Sequence, residues 1–90
     1  MKKRYKIKIY GDVQGVLYRF TARQIAQKLG INGWVRNEYD GSVLIVAEGE
    51  KEALDKLVKW CYEGPPLAEV SEVEIEEGEY KDEFGGFEAR

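Results

Sequence analysis

A chain of 90 residues, 43% apolar and with two tryptophans, can build one small core and has no material for a second domain, so residues 1–90 read as a single domain. One cysteine (Cys61) and no histidine exclude an intramolecular disulfide, a cysteine-rich or histidine metal site, and Ser-His or Cys-His nucleophilic catalysis. The net charge of -3 splits into nine Lys/Arg against one acid in residues 1–36 and five against sixteen in residues 37–90, with no apolar run of membrane-span or signal-peptide length, so a cytoplasmic protein is expected.

Tyr5, Ile7 and Ile9 alternate with Arg4, Lys6 and Lys8, which predicts a first strand over residues 3–10. Lys2, Lys3, Arg4, Lys6 and Lys8 either steer a small anion or form the solvated face of an edge strand. Tyr18, Ala22, Ile25, Ala26 and Leu29 fall at helical spacing, with Gly30 placed to stop the helix. Residues 31–37 and 42–48 read as a hairpin turning at Glu38-Tyr39-Asp40-Gly41, where Gly41 can take positive φ. A second helix runs from about Glu50 to Tyr62, burying Leu54, Leu57, Val58 and Cys61, and Gly64-Pro65-Pro66 ends it. Val70, Val73 and Ile75 mark a fourth strand whose slipped alternation predicts a bulge or a late start. Residues 76–86 read as an acidic surface loop, and Phe87 and Ala89 as a short final edge strand. Trp34 and Trp60 are expected in or near the core. The order strand, helix, strand, strand, helix, strand is the α+β split βαβ of the ferredoxin-like sandwich, βαββαβ: two helices on one face of a four-stranded antiparallel sheet. Right-handed crossovers put the first and third strands in its middle.

Gly11-Asp12-Val13-Gln14-Gly15-Val16-Leu17-Tyr18-Arg19 joins the first strand to the first helix. Two glycines free the backbone amides to turn toward one point, the helix N-terminus adds unpaired donors, and Arg19 adds a planar fork: together, an anion holder. Gly33-Trp34-Val35-Arg36-Asn37 ends the second strand, which this topology can bring beside the helix start. The Asn37 amide, both donor and acceptor, either holds a water in fixed orientation or caps the hairpin turn. Arg23 and Arg36 extend the positive field or are simply solvated, and the glutamates at 72, 74, 76, 77 and 79 read as an exposed strand face rather than a cation site.

Residues 9–19 resemble the first acylphosphatase signature. Gly33-Trp34-Val35-Arg36-Asn37, three residues, Gly41-Ser42-Val43, five residues and Gly49 resemble the second. Gly64-Pro65-Pro66 followed by an acidic strand resembles the family's second half, so the likeness spans nearly the whole chain. The resemblance implies hydrolysis of the carboxyl–phosphate bond of a small-molecule acyl phosphate to a carboxylate and inorganic phosphate, with no metal and no cofactor. It implies Arg19 as the phosphate-binding arginine and Asn37 as the water-orienting residue. The backbone amides of Gln14, Gly15, Val16, Leu17 and Tyr18 are implied as the phosphate cradle. The chain departs from the family at Tyr18, where phenylalanine is commoner, at Leu17, where glycine is common, at Ala22, where a threonine is often found, and at Ala89, usually β-branched. A monomer with no nucleic-acid or membrane partner is expected. The alternative is a non-catalytic ferredoxin-like module binding RNA or an anionic metabolite, although residues 42–48 lack the aromatics of an RNA-reading strand. A third reading, a domain of a larger carbamoyl-transfer protein, is disfavoured by the initial methionine and the complete second half.

Overall fold

In the computed structural model, which describes residues 1–90, the alternation of Tyr5, Ile7 and Ile9 builds β1 (Lys2–Asp12) with those three side chains buried. Then come α1 (Tyr18–Lys28), β2 (Asn32–Asn37), β3 (Val43–Glu50), α2 (Lys51–Glu63), β4 (Glu69–Gly78) and β5 (Phe87–Ala89). Each helix stops where its chemistry requires. Gly30, at φ 71°, follows the last turn of α1, and Gly64, at φ 67°, ends α2 before the Pro65-Pro66 pair. No helix is long and apolar enough to cross a membrane.

The strands form one sheet in the order β4-β1-β3-β2-β5. Each of the first four is antiparallel to its neighbours among them, with β1 and β3 in their middle as expected, while β5 lies parallel to β2, pairing Gly33 with Phe87 and Val35 with Ala89. The short final edge strand is therefore present, and it makes the sheet five-stranded and mixed. Both helices pack on one face, over a core of Ile7, Ile9, Val35, Val43, Ile45, Leu54 and Leu57 among others. At Gly33, φ 147°, a Cβ would collide with the Val46 carbonyl, so only glycine lets β2 lie this close to β3.

Three expectations change. β4 runs on to Gly78, taking in Glu76 and Glu77 that read as loop, because its glutamates face lysines of β1: Glu74 stands opposite Lys8 and Glu76 opposite Lys6. The basic residues of β1 accordingly belong to an interior strand and not to an edge. Trp34 lies on the face away from the helices, as its alternation with buried Val35 requires, with the Arg36 and Arg90 guanidiniums 4.8 and 4.9 Å from its ring. Trp60, by contrast, packs against the core, its ring 5.0 Å from that of Tyr18. The predicted bulge is real: Tyr10 faces Glu72 and Gly11 faces Val70, leaving Ser71 as the extra residue of β4.

Because β4 and β5 are opposite edges, residues 79–86 must cross the sheet. Glu48, 2% exposed, fastens that crossing: its carboxylate accepts from the N–H groups of Lys81 (2.7 Å) and Glu83 (3.2 Å) and from Arg4 Nη1 (3.2 Å). Arg4 also pairs with Glu83 and lies over the Phe84 ring.

Candidate active site

At the end of the sheet opposite Glu48, β1 and β2 both finish and α1 begins. Val13, 1% exposed, anchors the connecting loop in the core, while Gly15 (φ 75°) and Leu17 (φ 66°) adopt left-handed conformations that turn it into the helix. Leu17 is the N-cap and makes no side-chain cap bond, and the first turn carries no acidic residue. The first intrahelical bond of this turn runs from Thr21 N–H to Leu17 O (3.1 Å), so the N–H groups of Tyr18, Arg19 and Phe20 lack helical acceptors and lie at the positive end of the dipole. A helix start without an acidic cap is suited to an anion from outside.

The Gln14 side chain ties this loop to the β2–β3 turn, its Nε2 donating to the carbonyls of Glu38 (2.8 Å) and Ser42 (2.9 Å). The turn is further locked by Asp40, whose Oδ1 accepts from the Ser42 hydroxyl (2.6 Å) and the Ser42 N–H (3.0 Å). Those two bonds, with Lys8 beside the carboxylate, lower the Asp40 pKa to about 2. Asp40 and Gln14 therefore do the holding that could have fallen to Asn37.

Asn37, the last residue of β2, and Arg19 line one cavity of about 230 Å³, together with Val13, Gly15, Leu17, Tyr18 and Phe20. Of the loop residues read as anion-binding, Gly15, Leu17 and Tyr18 line it; Gln14 turns its side chain to the hairpin, and Val16 packs against the core. Arg19 Nη1 donates to the main-chain oxygen of Arg90 (2.5 Å), which fixes the guanidinium beside the loop, and Arg90 N–H is held in turn by Val35 O (2.8 Å). Neither the Gln14 amide nor the Arg90 main-chain oxygen is legible in the sequence. Both are contacts between segments far apart in the chain, though a polar residue between two glycine-rich turns was a signal for the first.

Tyr18 is 1% exposed, and its hydroxyl donates to Cys61 O (2.7 Å). Burial raises its pKa far above the ordinary phenol value, so it remains a neutral donor. Burial likewise pushes the Cys61 thiol up to about 12, which leaves it a core residue and not a nucleophile. Arg36 pairs with Glu38 (3.0 Å), and Arg23 lies over Phe20, 5.9 Å from the ring centroid, with its Nε buried and unpartnered. A larger groove of about 420 Å³ on the open sheet face, lined in part by Arg4, Trp34, Leu44 and Val46, contains none of the loop donors.

Comparison with known proteins agrees with this architecture. The acylphosphatase family model matches residues 5–89. An acylphosphatase of Pelotomaculum thermopropionicum is 48% identical over 86 residues, covering 96% of this chain and 94% of that relative. The crystal structure of the Bacillus subtilis acylphosphatase superposes with a TM-score of 0.94 at 33% identity, covering 100% of this chain and 99% of that one. An acylphosphatase structure from Coxiella burnetii gives 0.93 at 38% identity, over 99% and 93% of the two chains. With its loop, helix start and full-length likeness all in agreement, the chain belongs to the acylphosphatase family.

Proposed function

We propose that Arg19 and the loop amides from Gln14 to Tyr18 bind the phosphate of an acyl phosphate, and that Asn37 orients the water that attacks it. The observation that carries this reading is the convergence of Arg19 and Asn37 on one small cavity at the uncapped start of α1. Phosphoryl transfer demands mainly positioning and stabilisation of charge on the equatorial oxygens, and a carboxylate leaves readily without an acid catalyst. A chain with no histidine can meet that demand. The amides and the guanidinium fork hold three oxygens in place, and Arg90 O keeps the fork from swinging away. Asn37 accepts a hydrogen bond from the water and aims its lone pair at phosphorus, in line with the departing carboxylate. The water's proton passes to a phosphate oxygen of the substrate, so no protein base is required, and no metal ion or cofactor takes part.

Hydrolysis of benzoyl phosphate with EDTA present tests this. Arg19→Ala and Asn37→Ala should each lose at least ~10²-fold in kcat, by analogy with removal of one oxyanion donor, and Arg19→Lys should not restore the rate, because a point charge cannot replace a fork. Inorganic phosphate should compete with substrate. Folded, fully active Ala variants, or dependence on a chelatable metal, would overturn the assignment. We further infer a monomer without a nucleic-acid partner, because Glu76 and Glu74, opposite Lys6 and Lys8 across the β1–β4 ladder, break up the basic stripe. Size-exclusion chromatography and titration with labelled RNA check both points.

A further inference from the structure

Two side chains at the mouth of the cavity are spent in a way the fold does not explain. Leu17 holds φ 66° and ψ 19°, a left-handed conformation that disfavours any residue with a Cβ, yet its side chain is 71% exposed and gains little from packing. Glycine would take this conformation freely. Phe20, three residues on and therefore on the same side of the helix start, is 51% exposed, and the Arg23 guanidinium lies against its ring. Both line the cavity that holds Arg19 and Asn37, with Val13 and Tyr18 as further apolar wall. A strained, exposed apolar residue beside a reaction centre is a device for touching what binds there.

In the adjoining groove that shares Asn37, Arg36 is paired with Glu38 and Lys8 with Asp40, both at 3.0 Å, whereas Arg23 lies against the Phe20 ring with no ionic partner. An apolar acyl group at the mouth would meet Leu17 and Phe20. We infer that the Leu17 and Phe20 side chains form an apolar lip that receives the acyl group, so that this enzyme prefers acyl phosphates with longer alkyl or aryl acyl chains over acetyl phosphate. The inference rests on the phosphate-site reading above and adds the acyl side to it. The lip makes no contribution to the P–O cleavage itself; it retains the acyl group while phosphate is held, and releases it as the carboxylate.

The test compares kcat/KM for acetyl and hexanoyl phosphate in the native enzyme, in Leu17→Gly, in Phe20→Ser and in the double variant. A buried methylene contributes about fourfold and a half-buried one about twofold, so the four extra carbons of hexanoyl phosphate, half-buried, should give a preference of about 16-fold over acetyl phosphate. Each single variant should lower the hexanoyl-to-acetyl ratio by about fourfold, and the double variant should bring it near unity. Because the ratio is taken within each protein, general damage to the phosphate cradle cancels. A native enzyme that hydrolyses both equally overturns the lip and leaves the phosphate site standing, as does an unchanged ratio in the double variant. Failure of the native enzyme to hydrolyse either overturns both the lip and the phosphate site.

Discussion

Tyr18→Phe removes one oxygen atom from the interior, and its effect can be worked from the surroundings. In an α-helix the carbonyl of residue i accepts from the N–H of residue i+4; for Cys61 that residue is Pro65, which has no N–H. The Tyr18 hydroxyl fills the gap at 2.7 Å, in a site where Tyr18 is 1% and Cys61 0% exposed. Phenylalanine would keep the ring, and with it the 5.0 Å contact to Trp60, while leaving the Cys61 carbonyl buried and without a partner. A lost hydrogen bond that strands a buried acceptor costs about 1–3 kcal/mol, and we take about 1.5 kcal/mol because only a neutral carbonyl is affected. In a domain of this size that lowers Tm by about 6–12 °C. Urea and thermal unfolding followed by tryptophan fluorescence measure it directly, since Trp60 adjoins the ring. A variant that melts within a degree of the native protein would refute the reasoning and mean that the Cys61 carbonyl is satisfied in some other way.

Gln14→Leu should raise the inhibition constant of inorganic phosphate about tenfold, since the loop loses both bonds to the hairpin and its amides drift from register; phosphate inhibition kinetics read this out. Glu48→Ala should cost about 2–3 kcal/mol in urea denaturation, because two loop N–H groups and Arg4 lose their acceptor, and should speed tryptic cleavage after Lys81. The Asp40 carboxyl should titrate by NMR with a midpoint of about 2. Its folded pKa lies below the unfolded value, so its contribution to stability is complete above about pH 4 and fades as pH falls through about 2. Asp40→Asn should remove that acid-side dependence.

How much of this was legible in the sequence follows from which forces act locally. β1, β2, α1 and α2 bury side chains at a single period, so alternation in β1 and the Ala22–Ala26 spacing in α1 suffice to find them, while β3, buried on both faces, shows as an apolar run. The end of β4 hid because Glu76 and Glu77 look like loop residues until their partners are known, and those partners lie some seventy residues away. Trp34 was misjudged by size, although its alternation with Val35 already put it on the other face. In the site, the glycines and the helix start are local, so the loop and Arg19 were readable. The left-handed conformation was expected only of glycine, and the structure gives it to Leu17 as well. Gln14 and Arg90 act across tertiary contacts that no local pattern encodes.

The crossing of residues 79–86 sets an unequal tolerance for changes in chain length. From β4 to β5 the sheet is four strand spacings wide, about 19 Å, and the nine peptide steps from Gly78 to Phe87 reach about 30 Å when extended. Some three residues of slack remain, part of it used in reaching Glu48. Added residues in this segment only lengthen an exposed loop. Removal of more than about three pulls β5 off β2, and the Arg90 main-chain oxygen then leaves Arg19. A segment at the far end of the sheet thus limits how short the protein can become before its phosphate-binding arginine loses its support.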